Sequence, residues 1–108
     1  MIEVRYYVTE EGRSPYADWF SFLDPVARAK VAAAIVRIGQ GNMSNIKSVG
    51  NGVFEYRINF GPGYRVYFGR EGDIVVILIT GGTKKRQQRD IDAAADLWRA
   101  YKRSKRSG

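Results

Sequence analysis

The sequence contains neither cysteine nor histidine among its 108 residues. Without cysteine there is no disulfide framework and no thiolate nucleophile. Without histidine the chain lacks the commonest general acid or base at neutral pH and the commonest ligand of transition metals. Any catalysis must therefore rely on Lys, Arg, Tyr, Asp or Glu, and we expect neither a metal site nor a cofactor.

Long apolar runs are also missing. The longest run, residues 74–79, is far shorter than the roughly 20 residues of a membrane-spanning helix. The N-terminus lacks the basic and then apolar pattern of a signal peptide. We therefore expect a cytoplasmic protein. The length predicts one domain, residues 1–108, with a basic, frayed tail over about residues 103–108.

Acidic residues are scarce relative to basic ones. The chain has 18 Lys and Arg against 11 Asp and Glu, a formal net charge of +7. Most of this excess lies in residues 84–106, which hold nine basic residues and three aspartates. The natural partner is a polyanion, whether nucleic acid, an acidic protein or an anionic membrane surface. The same pattern is also typical of a solvated helix with a basic end.

Alternation of apolar and polar side chains predicts a β-hairpin between residues 54 and 68. Gly61-Pro62-Gly63 is typical of its turn, because proline fixes its own φ and glycine accepts positive φ. If Phe60 lies opposite Tyr64, one face of the hairpin is apolar and forms core. The other, which we call the arginine face, then pairs Asn59 with Arg65 and Arg57 with Tyr67.

Helix caps and hydrophobic spacing predict the remaining elements. Ser14 and Asp24 are each followed by proline, so two helices begin there, over residues 15–23 and 25–39. We predict strands over residues 2–8 and 74–79, a loop over residues 42–52 and a last helix over residues 87–102. In this register Val76 and Leu78 lie on the arginine face, covered by the last helix or by another protein. The order β-α-α-β-β-β-α predicts an α+β fold with an antiparallel sheet, an N-terminal helical hairpin and a C-terminal helix.

Three segments form a recognisable pattern: Phe54-Glu55-Tyr56-Arg57, then Gly63-Tyr64-Arg65-Val66-Tyr67, then Thr83-Lys84-Lys85 between an apolar strand and the last helix. With this pattern the chain resembles the RelE/ParE superfamily of bacterial toxins, above all its HigB-like branch, the addiction module killer proteins. The likeness covers nearly the whole chain and implies a toxin of a type II toxin–antitoxin system. RelE-like and HigB-like members cleave mRNA in the ribosomal A site without metal, whereas ParE-like members inhibit DNA gyrase. The fold alone does not decide between these two activities.

In metal-free RNA cleavage the 2′-OH attacks the adjacent phosphate, and the protein positions the RNA and stabilises negative charge. The resemblance places Arg65 and Lys85 at basic positions of the family, and Arg57, on the adjacent strand of the same face, and Lys84, beside Lys85, complete the set of candidate catalytic residues. The candidate RNA-binding residues are Asn59, Tyr67, Arg86 and Arg89. Glu55 or a lysine is the candidate general base. RelE carries a stacking tyrosine where this chain has Ile91, so Tyr67 or Tyr101 is the candidate replacement.

Two other functions remain open from the sequence. The first is that the chain is ParE-like and inhibits DNA gyrase without catalysing a reaction itself. The second is that it is a non-toxic, basic nucleic-acid-binding module. In both toxin interpretations we expect a cognate antitoxin, a helix-turn-helix HigA-like protein, whose acidic or amphipathic segment covers the arginine face. The other partner is mRNA on the ribosome or, in the alternative, gyrase, and no membrane partner is expected.

Overall fold

A computed structural model describes residues 2–73 and 75–107 of the chain. Five strands and three helices follow one another in the order β1 (Glu3–Tyr6), α1 (Pro15–Ser21), α2 (Pro25–Gly39), β2 (Ile46–Gly50), β3 (Val53–Ile58), β4 (Tyr64–Glu71), β5 (Val75–Thr83) and α3 (Gln87–Ser107). A short 3₁₀ turn, Lys84–Arg86, joins β5 to α3. The α+β class is therefore confirmed. Ile74, the predicted start of the apolar strand, lies outside the described residues.

The sheet is mixed rather than antiparallel, which corrects the prediction. Its strand order is β1-β5-β4-β3-β2. The three pairs from β2 to β5 are antiparallel, but β1 runs parallel to β5 because α1 and α2 carry the chain across the sheet between them. Parallel pairing requires such a crossover, and the helical hairpin supplies it.

One strand is absent from the prediction. Residues 46–50 form β2, an edge strand, within the segment predicted as a loop. Gly50-Asn51-Gly52, at the end of the predicted loop, forms a turn in which all three residues have positive φ. This tight turn folds β2 back onto β3. The edge strand was missed because its side chains are mostly exposed and show no clear alternation.

The β3–β4 hairpin forms with a register two residues away from the predicted one. Ile58, not Phe60, lies opposite Tyr64, and Arg57 lies opposite Arg65. The loop is longer than expected because Gly63 N–H donates to the Phe60 carbonyl at 3.0 Å, which closes the turn beyond the strand end. A shift of two residues leaves every strand side chain on its predicted face, since the side-chain period is two.

Helices cover both faces of the sheet. On one face α1 and α2 bury an apolar cluster that includes Tyr56, Val66 and Phe68. On the arginine face α3 packs over a second cluster that includes Tyr67, Ile77 and Trp98. The last helix is therefore the cover that the sequence required on the arginine face.

Two side chains were assigned to the wrong face of the sheet. Val76 and Leu78 pack under the helical hairpin, not on the arginine face. A register shift between Tyr67 and Phe68 in the β4–β5 pairing changes which residues of β5 stand beside Tyr67. Such an irregularity exchanges the two faces along one strand, and alternation in a strand that is apolar on both faces does not reveal it.

The helix boundaries follow their caps. The Ser14 and Asp24 side chains accept from Ala17 N and Ala27 N at 3.1 and 2.9 Å, so both predicted starts are confirmed. The predicted bounds of α2 agree with the structure, whereas α1 ends two residues early, at Ser21. Residues 103–107 continue α3 instead of forming a frayed tail. No helix among the described residues is long and apolar enough to cross a membrane.

Candidate functional site

A cleft opens on the arginine face where β2, β3 and β4 meet. Its volume is about 210 Å³, and we call it the cationic cleft; it is lined by Ser44, Asn45, Ile46, Lys47, Glu55, Arg57 and Arg65. Three of these side chains are cations and one is a carboxylate, so the lining carries a net charge of +2. A small cavity of this charge is suited to an anion of phosphate size.

Glu55 is the centre of a buried network beneath this cleft. It is only 2% exposed, and one carboxylate oxygen accepts hydrogen bonds from Tyr67 Oη at 3.1 Å and Gln87 Nε2 at 2.8 Å. Its other oxygen lies 3.5 Å from Arg65 Nε and 4.0 Å from Lys47 Nζ. With both oxygens engaged, Glu55 holds these partners in place, as a buried carboxylate requires.

Arg65 lies on the floor of the cleft and is only 5% exposed. One of its terminal nitrogens donates to the Gly63 carbonyl at 2.8 Å. Its buried Nε lies 3.5 Å from a Glu55 oxygen and forms no hydrogen bond with any of the described residues. The guanidinium is thus fixed by the turn and by Glu55, and only a small part of it faces the cleft.

Arg57 and Arg65 lie directly opposite each other across β3 and β4. Like charges in this arrangement destabilise a sheet by several tenths of a kcal/mol to about 1 kcal/mol. Arg57 is exposed, and no carboxylate of the described residues forms an ion pair with it. Arrangements that lower the stability of the fold, such as this pair of opposed arginines, are common at functional sites.

The structure separates the predicted lysines and arginines after β5 into two places. Lys84 lies beside the turn of the β3–β4 hairpin, where its backbone N–H donates to the Pro62 carbonyl at 3.3 Å. Lys85, Arg86 and Arg89 line another surface depression together with Gln88. The predicted cations therefore do not all meet in one site.

Two predicted RNA-binding residues do not fit that role as the structure has them. Tyr67 has no exposed surface, so its ring is not available to stack on a nucleotide, and its hydroxyl supports Glu55 instead. Burial and the neighbouring Glu55 charge raise the pKa of Tyr67 well above its usual value. Asn59 is exposed in the loop beyond β3 and is not part of the cleft lining. The two-residue register shift removes it from its predicted place opposite Arg65.

The start of α3 is held against the sheet by Asp90 and Gly82. A side chain at Gly82 would overlap the Asp90 carboxylate, so glycine is required for this approach. Burial raises the pKa of Asp90, while the nearby Arg86 guanidinium acts in the opposite direction. This contact brings Gln87 to Glu55, 32 residues away in the chain.

Sequence reasoning missed the residues that β2 and the segment before it bring to the cleft, and it missed two residues of α3 beneath it. Lys47 lay in the predicted loop, and Gln87 and Asp90 carry no local signal, because their roles depend on where α3 docks. Among the described residues, no group of three or more acidic side chains is placed to hold a metal ion. The lining of the cleft itself supplies cations, hydrogen-bond donors and one buried carboxylate.

Two comparisons with known proteins found a match. The family model described as phage-derived protein Gp49-like (DUF891) matches residues 18–105. An uncharacterized protein of Haemophilus influenzae is 45% identical over 80 residues, which cover 73% of this chain and 81% of the relative. The family match runs from within α1 to α3 and therefore contains β2, β3 and β4.

Proposed function

The chain belongs to the phage-derived Gp49-like family, and on that basis we propose that it is the toxin of a toxin–antitoxin pair and cleaves mRNA on the ribosome. Gp49-like proteins are RelE/ParE-like and are commonly the toxins of toxin–antitoxin systems. The RNA cleavage and the placement in the HigB-like branch are the parts that we propose here.

The observation that carries the proposal is the charge of the cationic cleft. Arg57, Arg65 and Lys47 converge there around a single carboxylate, and Arg57 has no ion pair with a described residue. Two directly opposed arginines are unfavourable for folding alone, but they become favourable when an anion lies between them and the neighbouring lysine. A backbone phosphate of RNA is such an anion.

In the proposed reaction the 2′-oxygen of a nucleotide forms a bond to the adjacent phosphorus, and the bond to the 5′-oxygen breaks. The 2′-hydroxyl loses a proton and the leaving oxygen gains one. Negative charge accumulates on the phosphate oxygens in between, and preorganised cations stabilise it. Arg57 and Lys47 supply the exposed charges, Arg65 supplies a fixed charge from the floor, and Glu55 positions Arg65.

The other predicted cations are assigned to the RNA strand beyond the scissile phosphate. Lys84 stands at the hairpin turn, and Lys85, Arg86 and Arg89 form a separate basic depression at the start of α3. Contacts with phosphates at these positions contribute affinity and register without sequence preference.

We further propose that an antitoxin of the helix-turn-helix, HigA-like kind inhibits the protein through an acidic segment. Because α3 already covers the apolar part of the arginine face, the cationic cleft is the part of that face left for such a segment. A carboxylate placed beside Arg57 would supply the partner that this residue lacks.

Primer extension on mRNA in a reconstituted translation system tests the activity, with and without ribosomes. The informative variant is Arg57→Ala, because this exposed side chain can be removed without disturbing the buried network. Arg37→Ala is the matched control, since Arg37 is an exposed arginine on α2, on the other side of the sheet. We expect new 5′ ends that require ribosomes, a loss of at least tenfold in cleavage for Arg57→Ala and unchanged cleavage for Arg37→Ala.

The alternatives predict other results in the same experiment. Cleavage of naked RNA would identify a ribosome-independent ribonuclease. Absence of cleavage by the parent protein, together with double-strand breaks in DNA in the presence of gyrase, would replace the proposal with gyrase inhibition. Equal cleavage by the parent and Arg57→Ala would remove the cleft from the mechanism.

A further inference from the structure

A third basic surface, besides the cationic cleft and the depression at the start of α3, lies at the far end of α3, where the helix crosses the end of β4. A groove of about 400 Å³ opens there, and its rim carries Arg70, Arg99, Lys102, Lys105 and Arg106 with a single carboxylate, Glu71. We call it the α3 groove. It contains none of the residues that line the cationic cleft.

The groove rests on an ordered aromatic base. Trp98 stacks on Tyr101, with ring centroids 5.0 Å apart and an interplanar angle of 14°. The Tyr101 hydroxyl donates to Glu71, and Lys105 Nζ lies 3.4 Å from the same carboxylate. These contacts clamp residues 98–105 of α3 to the end of β4, so the basic residues predicted as a frayed tail stand on a fixed support.

Some cations of the groove form ion pairs with carboxylates and others do not. Arg99 pairs with Asp96 at 2.9 Å, and Lys105 pairs with Glu71. Lys102 and Arg106 are exposed, and neither forms an ion pair with a carboxylate among residues 2–73 and 75–107. A surface with five cations and one carboxylate attracts an anionic ligand.

Protein partners usually anchor on accessible aromatic side chains at the centre of an interface. Here Trp98 is only 5% exposed and forms the base of the groove, Tyr101 is partly exposed, and the rim carries five Arg and Lys side chains. Such a surface suits the phosphate backbone of a nucleic acid, which requires charge and no apolar anchor.

The groove is also remote from the cleft. Gln87, which contacts Glu55, and Lys102 are 15 residues apart on one helix, which corresponds to roughly 20 Å at 1.5 Å per residue. We propose that the α3 groove is a second RNA-binding site, which contacts phosphates without regard to base sequence and acts independently of the cleft. The choice of RNA as the polyanion rests on the proposed function.

Fluorescence anisotropy with a labelled single strand of 2′-O-methyl RNA, about twelve nucleotides long, tests this site. The 2′-O-methyl group prevents cleavage, so binding is measured whether or not the protein is a nuclease. The variant Lys102→Gln/Arg106→Gln removes the two exposed groove cations that form no ion pair with a described residue, and Lys30→Gln/Arg37→Gln removes two exposed cations of α2 as the control. Affinity is measured over a series of salt concentrations.

Each phosphate contact on a single strand contributes about 0.7 to the slope of log K against log salt concentration. We expect the groove variant to reduce the slope by about 1.4 relative to the parent. Its loss of affinity between 50 and 200 mM salt is then about sevenfold smaller than the parent's. The control variant should keep the parent slope, and Arg106→Gln alone should lower it by about 0.7.

An unchanged slope in the groove variant, or an equal loss in the control, would overturn the second site. Tighter binding of duplex DNA of the same length would overturn the assignment to RNA. Displacement of the RNA by polyglutamate of equal charge at equal concentration would assign the groove to an acidic protein instead. Failure of ribosomal cleavage by the parent would overturn the proposed activity alone, because this binding assay does not depend on it.

Discussion

Arg65 and Arg57 lie opposite each other in the sheet, but their replacement by alanine should affect the stability of the protein differently. Arg65 is buried and shares Glu55 with Tyr67 and Gln87, whereas Arg57 is exposed at the mouth of the cleft. Arg65→Ala should therefore impair folding and activity together. Arg57→Ala should impair activity alone.

The structure gives the size of each effect on the free energy of unfolding. Removal of one member of a buried ion pair costs about 3–5 kcal/mol. For Arg65→Ala we expect about 3 kcal/mol, the lower end, because Tyr67 and Gln87 still donate to Glu55 and Lys47 remains 4.0 Å away. For Arg57→Ala we expect a change within about 0.5 kcal/mol, with a tendency to stabilise, because a like-charged cross-strand pair is removed.

Urea unfolding followed by circular dichroism measures both values, and equal m-values would show that the denatured states are comparable. Glu55→Gln in the Arg65→Ala background is the internal check. It removes the uncompensated charge, so the two substitutions together should cost at least about 1 kcal/mol less than the sum of the single ones. The distinction between a buried, structural Arg65 and an exposed Arg57 would be refuted by either of two results. One is an Arg65→Ala variant with the parent's free energy of unfolding, and the other is an Arg57→Ala variant that is as unstable as Arg65→Ala.

Two further predictions concern how α3 docks on the sheet. A Cβ at Gly69 would lie closer than 3.0 Å to the Trp98 indole, so Gly69→Ala should lower the free energy of unfolding by about 1–3 kcal/mol. The control is Gly39→Ala at the end of α2, where a Cβ would make only ordinary contacts. This substitution should leave the free energy of unfolding unchanged or raise it by about 0.5–1 kcal/mol. Urea midpoints measure both, and equal effects would contradict the close approach of Trp98. Burial, with the hydrogen bond to Glu71, raises the pKa of Tyr101 from 10.0 to about 12. Between pH 10 and about pH 12 the unfolded chain therefore binds fewer protons than the folded protein, and the free energy of unfolding falls as the pH rises. Tyr101→Phe should make that fall shallower by no more than about 1.4 kcal/mol per pH unit, and an unchanged pH dependence between pH 9 and 11 would count against the raised pKa.

The sequence predicted an element correctly wherever that element is determined by contacts between residues close together in the chain. The Asp24-Pro25 start and the glycine at residue 39 gave both ends of α2, because a cap involves only neighbouring residues. The faces of β3 and β4 followed from alternation, and they survived a two-residue error in register because the period of a strand is two. These predictions would hold for any sheet with the same strand pattern.

The parts that failed depend on contacts between distant segments. The parallel pairing of β1 with β5 is set by the crossover through the helices, and the edge strand β2 shows no alternation of its own. The burial of Tyr67 and Arg65 depends on the docking of α3, which brings Gln87 to Glu55 across 32 residues. The residues that β3 and β4 contribute to the arginine face were therefore predicted correctly, but the burial of Tyr67 and Arg65 was not.

The buried network explains how the fold accommodates a cluster of cations. Two opposed arginines and a nearby lysine repel one another, and Glu55 offsets this repulsion from beneath while Tyr67 and Gln87 keep its carboxylate in place. One carboxylate cannot balance three cations, so a net positive charge remains at the surface of the cleft. An anion that binds there, whether an RNA phosphate or an acidic residue of an antitoxin, would relieve the same repulsion. Substrate and inhibitor would then compete for the same excess of positive charge, and either ligand would stabilise the folded protein by an amount that grows with the logarithm of its concentration relative to its Kd.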